Sequence, residues 1–424
     1  MNSSSALESA GLKDLRALAR QEGINGYTRL KKEELVGLLR QIEAQKEGVV
    51  QGIGYLDIAK DGKGFLRGRT LMQTDADVYV SPSQIKRFGL RSGDLVEGPA
   101  RQPREGEKYR SLMKLDAVNS LDPDQVVERP RFETLTPVYP DQQYILETRP
   151  HIMATRLIDL ISPIGRGQRG LIVSPPKSGA TTILKQIAIG LTDNYRGLHL
   201  MLLLVGERPE EVTDMRRSVD ATVVSTLFDD PAEHQISVAE LVLAHAIRLV
   251  ELKKDVVIML SSLTQLARAY NTTAPSSGRL PSGALDPAAL HPAKQFLGAA
   301  RKLEGSGSLT IIATCLIGTD SRVDEAIYDD FKGAANMQLQ LDRSLAERRI
   351  FPAIDVEHSF TRREELLQDS NTLQQVWTLR RMVEALRVSQ PGTEPMMAIR
   401  ERLRRTRDNR EFLASLNHRE GGHS

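Results

Sequence analysis

Four almost uninterrupted apolar runs, Leu171–Ser174, Leu198–Val205, Val256–Leu260 and Leu309–Leu316, alternate with segments of helical periodicity in the second half of this chain. Such runs fit strands buried on both faces of a mostly parallel sheet, with helices as crossovers. Residues 150–424 are therefore expected to form an α/β core that ends in C-terminal helices. The first run enters the loop Ser174-Pro175-Pro176-Lys177-Ser178-Gly179-Ala180-Thr181-Thr182, and the spacing from Thr181 to Leu191 predicts a helix leading out of it. Strand, loop and helix in this order make a phosphate-binding frame. Gly179 permits close backbone approach, the N–H groups of Ser178 to Thr182 open toward anions, and Thr181 offers a hydroxyl to a magnesium ion. Ala180 stands where such loops carry a lysine.

The second run ends in Gly206-Glu207-Arg208-Pro209-Glu210-Glu211. Ligands of parallel sheets collect at the carboxyl ends of strands, so Glu207 is expected to face the same crevice as the loop. A carboxylate there can orient water for attack on a terminal phosphate. Glu210 and Glu211 read as solvated charges. The third run closes on Ser261, where nucleotide hydrolases hold magnesium with an acidic residue. A serine hydroxyl brings no charge to that task.

Residues 1–46 place Leu12, Leu15 and Leu18, then Leu35, Leu38, Leu39 and Ile42, at helical spacing around the breaker Gly23-Ile24-Asn25-Gly26, which predicts a small helical module. Residues 48–120 change to short alternating stretches punctuated by glycine and predict a small β-barrel. Residues 121–149, rich in proline and charge, read as a linker. The single Cys315 lies inside an apolar run, which excludes a disulfide within the chain or a cysteine metal cluster and predicts a core thiol. No apolar run approaches a membrane span and the start is polar, so no membrane partner and a cytoplasmic location are expected. A net charge of +2 leaves partners to be decided by where the charges lie.

The stretches Ser162 to Val173, Glu207 to Thr213, Leu266 to Asn271 and Phe351 to Asp355 together resemble the transcription termination factor Rho family, hexameric RNA-dependent ATPases with a RecA-like core. The similarity runs from about residue 48 and is weaker before it. It implies that the barrel is an OB-type, cold-shock-like fold, that single-stranded RNA and the RNA polymerase complex are partners, and that the chain forms a homo-hexamer using ATP and Mg2+. On that resemblance Glu207 is the catalytic glutamate, and Arg362 is the arginine finger that reaches a neighbouring subunit's phosphate. Gly165, Arg166, Gly167, Gln168, Arg169, Gly170, Lys177, Ser178, Gly179, Ala180, Thr181, Thr182, Arg208 and Phe351 match nucleotide-contacting positions, with Thr181 also on the metal. In the barrel, Gly62, Gly64, Phe65, Leu66, Arg67, Asp77, Val78, Tyr79, Arg87, Arg104, Glu107, Lys108 and Tyr109 match RNA-binding positions, and Lys63 replaces a family aromatic. Leu280 to Asp286 and Gly318 to Asp324 match two loops that grip RNA in the ring's channel, with Arg322 keeping a cation.

Three departures remove charge from one small site: Ala180 for the loop lysine, Ser261 for the magnesium-linked aspartate and Gln265 for an arginine. Gly206 is a milder fourth. A unit charge pair 4 Å apart interacts by roughly 4 kcal/mol at an effective dielectric of about 20. Deleting one preorganised donor commonly costs about 10²- to 10³-fold in rate. The expectation is an RNA-binding ring with weak or absent hydrolysis, alone or beside an active paralogue. The alternative is a fully active RNA-dependent ATPase and helicase that terminates transcription, with Lys177 compensating for Ala180. A rotary-ATPase subunit shares the Gly-Glu-Arg strand end but leaves the barrel without a purpose. The arginine-dense tail from Arg400 to Arg410 reads as a solvated helix face.

Overall fold

A computed structural model describes residues 11–21, 31–32, 34–36, 48–274, 285, 287–389 and 394–416. The chain divides into two compact units, Met1–Arg69 with Gln73–Glu128, and Thr70–Met72 with Arg129–Ser424.

In the first unit, helix α1 (Leu12–Gln21) buries Leu15 and Ala19, one helical turn apart. Leu35 is also buried, while Leu38, Leu39 and Ile42 fall outside the described residues. The strands are β1 (Val50–Ile58), β2 (Gly64–Arg67), β3 (Val78–Val80), β4 (Leu95–Arg101), β5 (Arg110–Leu112) and β6 (Ala117–Val118). Their path β1-β2-β3-β5-β4 returns to β1 through an antiparallel β1–β4 pairing, which closes the expected barrel. Period-2 alternation sends Leu56, Leu66, Val78, Val80, Val96 and Ala100 inward. Helix α2 (Pro82–Arg87) starts at a capping box in which the Ser81 hydroxyl accepts the Gln84 N–H and the Gln84 side chain accepts the Ser81 N–H.

The second unit is built on a nine-stranded sheet. Its main strands are β7 (Arg169–Ser174), β8 (His199–Glu207), β9 (Thr222–Leu227), β10 (Asp255–Ser261), β11 (Ser308–Leu316), β12 (Met337–Leu341) and β13 (Ile354–Thr361). They lie in the order β9-β8-β10-β11-β7-β12-β13, parallel except for the antiparallel β12–β13 edge. All four apolar runs lie in this sheet, and Cys315 is buried in β11 with its thiol pushed up to about 11 by burial. Helix α3 (Met153–Ile161) precedes β7, and the helix after the loop, α4 (Ala180–Asn194), runs almost a turn beyond the expected Leu191. Crossover helices α5 (Pro209–Ser218) and α6 (Ala232–Glu251) follow β8 and β9. Helices α7 (Leu263–Thr273) and α8 (Arg322–Lys332) follow β10 and β11.

The stretch expected as a linker is instead largely folded. Phe132, Tyr144 and Leu146 are buried, Gln143–Tyr144 pairs with Ile164–Gly165, and Pro137–Val138 adds to the large sheet. Each apolar anchor there stands alone among prolines and charges, too sparse to give a period. Among the described residues no helix is long and apolar enough to cross a membrane.

Candidate functional site

The loop after β7 turns through Lys177 (φ 65°) and Gly179 (φ 96°). A Gly179 φ in the left-handed region lets α4 start at once at Ala180, with no side-chain cap. The N–H groups of Gly179, Ala180, Thr181 and Thr182 make no hydrogen bond to the described residues, so four donors open at a helix N-terminus. Ser178, by contrast, is buried and its hydroxyl bonds to Pro175 O and Ser174 Oγ, so that it shapes the turn from inside. A pocket of about 320 Å³ beside the loop is lined by Ser178, Gly179, Thr182, His151, Met153 and Phe351, among others. Phe351 is 44% exposed, its ring edge near Gly179, so it presents a flat apolar surface to whatever the loop holds. Lys177 is exposed and does not line that pocket.

Glu207 ends β8 and Ser261 ends β10, on adjacent parallel strands at the same sheet edge as the loop. A register shift between Leu204 and Glu207 on the β8–β9 side, with Gly206 at φ 67°, bends the strand end. The Ser261 hydroxyl donates a short hydrogen bond to Glu207 Oε1. Burial pushes the Glu207 carboxyl up to about 7; the Ser261 bond opposes this, and the nearby Glu211 carboxylate reinforces it. Glu211 is thus half-buried against Glu207 rather than a freely solvated charge, because α5 starts immediately after Arg208 and turns it inward; Glu210 is exposed as expected. Lys185 on α4 reaches Asp214 on α5 at 2.7 Å and ties the loop's helix to the helix that follows Glu207. Gln265, in the first turn of α7, places its side-chain Nε2 3.5 Å from where a Cβ on Gly206 would lie.

These residues fit a triphosphate and magnesium unequally. Backbone donors and Thr181 suit phosphate oxygens. For a magnesium ion the site offers hydroxyls at Thr181 and Ser261, and the Ser261 hydroxyl is committed to Glu207. Among the described residues no group of three His, Cys, Asp or Glu converges on a metal position. The donor set does not supply a charged magnesium seat.

Gly165 to Arg169 do not join the loop. They precede or begin β7, six residues and about 17 Å of extended chain from its carboxyl end. Here Arg166 pairs with Asp255 at 2.5 Å, Gly167 N donates to Thr310 Oγ1, and buried Gln168 bonds Asn336 Oδ1 at 2.7 Å. Gly170 is buried within the strand. Gly167 and Arg169 instead line a pocket of about 750 Å³ together with Arg301, Arg362, Arg363, Asn336 and Tyr139. The positions expected from the resemblance to contact nucleotide therefore divide between two faces of the unit, with Glu207 and the exposed Arg208 beside the loop and Arg362 on the other.

On the barrel, Phe65 on β2 is paired in register with Tyr79 on β3. Its ring meets Tyr79 at 6.0 Å and Tyr109 at 5.2 Å, both edge to face, and the Arg67 guanidinium lies 5.4 Å above it. Lys108 lies 5.3 Å from the Tyr109 ring and pairs with Asp75. Arg67 is fixed by Asp57 at 2.6 Å and by buried Asp77 at 2.5 Å, so Asp77 positions a cation from below. Leu66 and Val78 point into the barrel and present no side chain outward. Glu107 is held by Arg101 and by the Arg104 N–H, and these bonds draw its carboxyl down to about 2. Arg87 and Arg104 are exposed, and Gly62 and Gly64 flank Lys63, which pairs with Asp61 at 2.9 Å.

In the segment from Gly318 to Asp324, Asp324 is 0% exposed and accepts Arg268 Nε at 2.9 Å, Arg268 Nη2 at 2.6 Å and Thr319 Oγ1. Sequence reasoning missed Arg268 as the brace that holds this loop and leaves Arg322 exposed at the start of α8; its place in the Leu266 to Asn271 stretch was the available signal. Of the other loop, residues 280–284 and 286 fall outside the described residues.

Residues 52–124 match the Rho termination factor RNA-binding domain, and residues 154–361 match the nucleotide-binding domain of the ATP synthase alpha/beta family. An ATPase from the type III secretion system of pathogenic bacteria superposes with TM-score 0.56 at 24% identity, over 72% of this chain and 90% of that one, which shows the shared core fold. Transcription termination factor Rho of Bacillus subtilis is 49% identical over 97% of this chain and 96% of its own length. The Rho of Thermotoga maritima is 49% identical over 96% of this chain and 95% of its own. Similarity of this depth across both units accounts for the barrel as well as the core, and the chain belongs to the transcription termination factor Rho family.

Proposed function

We propose that this chain is a ring-forming, single-stranded-RNA-binding member of its family that holds nucleotide through loop backbone but hydrolyses ATP weakly or not at all. The observation that carries this reading is the Ser261–Glu207 hydrogen bond in a site that has lost its loop lysine. Glu207 has to be ionised and free to orient water. Here its carboxyl is pushed up to about 7 by burial, and one oxygen accepts from Ser261. No lysine at position 180 and no arginine at position 265 draws it back down.

The remaining residues keep distinct tasks. The four open N–H groups after Lys177 bind phosphate oxygens, Phe351 packs on the base, and Phe65, Tyr79 and Tyr109 stack RNA bases beside Arg67. The arginine pocket on the opposite face serves the loop of the next subunit in a head-to-tail ring, a homo-hexamer in the simplest case. Transcription termination at the RNA polymerase complex is the biological setting that the family implies. A second reading, an active translocase, is favoured by the retention of Glu207, Arg208 and Arg362. Nucleotide titration beside a turnover assay separates the two: binding without turnover supports the first, turnover the second.

A further inference from the structure

We propose that Arg156 is a positioning residue through which the C-terminal helices of the second unit hold one wall of the loop pocket, and so set how tightly the base of a nucleotide is bound. The inference rests on the reading that the loop binds nucleotide with the base against Phe351.

The residues concerned are far apart in the chain. Helices α9 (Ser370–Ser389), α10 (Pro395–Arg404) and α11 (Asn409–Leu416) share one apolar core with α3. His151, Met153 and Ala154, at the entry and first turn of α3, line the pocket beside the phosphate loop together with Phe351, Pro352 and Ala353. Further along the same helix the Arg156 side chain is 0% exposed. Its Nη1 donates to Leu403 O at 2.9 Å and Thr406 O at 3.0 Å, its Nη2 donates to Thr406 Oγ1 at 2.9 Å, and its Nε lies 3.1 Å from Glu147 Oε1. Asn409 closes this knot, donating Nδ2 to Arg156 O at 2.8 Å and its N–H to Glu147 Oε1 at 2.9 Å. Nη1 also reaches Pro150 O at 3.2 Å, directly before His151. One guanidinium thus joins the turn between α10 and α11 to the chain that enters the pocket wall.

The two ends of α3 are held differently. At its carboxyl end Gln368 donates to Asp159 O and Leu160 O, and Arg380 on α9 donates to Ile161 O at 2.6 Å. At its amino end Ile152 supplies no side-chain cap, so the first turn depends on the knot. Burial works against the knot's charges, lowering the proton affinity of the Arg156 guanidinium and raising the Glu147 carboxyl. A buried ion pair of this kind adds little net stability over apolar packing, and what it contributes is geometry. The planar guanidinium, bonded on all sides, has one orientation, and with it the wall of His151 and Met153 has one distance from Phe351. Phosphate depends on other groups: the N–H donors of Gly179 to Thr182 bond no residue of the knot. Loosening the knot therefore weakens base contacts and spares phosphate contacts.

Titrations of ATP and of inorganic tripolyphosphate separate these two parts. Arg156→Met, which fills the volume without the donors, should weaken ATP binding about tenfold, within the range for a lost base–aromatic stack, and tripolyphosphate binding by no more than about twofold. Asn409→Ala loosens the knot from the other side and leaves the guanidinium in place. It should show the same split at smaller size, and keeps the test readable where Arg156→Met does not fold. In both variants amide exchange at Ile152, whose N–H is donated to Arg149 O, should quicken while that from Leu171 to Val173 in β7 is unchanged. Equal weakening of both ligands, unchanged ATP affinity, or unchanged exchange at Ile152 would each overturn this proposal alone. Binding of neither ligand by the unsubstituted protein would overturn the proposed function together with it.

Discussion

The Ser261 hydroxyl donates to Glu207 Oε1 across two adjacent parallel strands, at the sheet edge where the phosphate loop also emerges. Under the proposed function, a serine where the family resemblance implies an aspartate does more than omit a charge: it engages the carboxylate assigned to water activation.

Restoring charge should therefore act as a unit. Ala180→Lys, Ser261→Asp and Gln265→Arg together are expected to raise RNA-stimulated ATP turnover by about 10² or more, and each alone by far less, because effects within one catalytic unit do not add. Ser261→Asp alone should lower Tm, since it sets a second carboxylate against Glu207. Steady-state turnover and thermal melts check both.

Glu207 should leave a pH signature in stability. Its folded-state pKa of about 7 lies above its ordinary value, so the folded protein binds that proton more tightly than the unfolded chain. The stabilisation is complete below the ordinary carboxyl range and is lost as pH rises through about 7. Glu207→Gln removes this loss. Its Tm should exceed that of the unsubstituted protein at pH 8, on the order of 2 °C, and converge with it near pH 5. Equal differences at both pH values would contradict the assignment.

Phe65→Ala should weaken single-stranded RNA binding by about 5- to 150-fold, the equivalent of about 1 to 3 kcal/mol, without unfolding the barrel. Arg67→Ala is expected to behave differently, because it leaves the buried Asp77 with the Thr74 N–H and hydroxyl but no cation, and breaking such a pair costs about 3 to 5 kcal/mol. RNA titrations beside thermal melts of the two variants distinguish stacking from support.

Arg268→Ala leaves the fully buried Asp324 with Thr319 as its remaining side-chain donor. A loss of stability comparable to that of Arg67→Ala is expected, with faster amide exchange from Gly318 to Arg322. Unchanged exchange there would separate the loop from this ion pair.

The four central strands β7, β8, β10 and β11 were legible because each is buried on both faces, so that continuous apolar residues mark them, whereas the half-buried β9, β12 and β13 carry no such run. Gly179 and Ala180 were legible because loop geometry constrains sequence locally. Other features were not, because they depend on residues far apart in the chain. The Ser261–Glu207 bond joins positions 54 apart, and the pocket that gathers Arg169, Arg301 and Arg362 is assembled from five separate segments. Phe132 and Tyr144 anchor a stretch whose composition reads as linker, since single buried residues produce no period. Glu211 gave no sign of facing Glu207 until α5 fixed its direction.

The central claim is tested most directly by ATP turnover of the purified chain with magnesium, with and without a pyrimidine-rich RNA, beside the Bacillus subtilis relative under the same conditions. The account predicts RNA binding and nucleotide binding with turnover at least about 10²-fold below that relative. RNA-stimulated turnover equal to the relative's would contradict it.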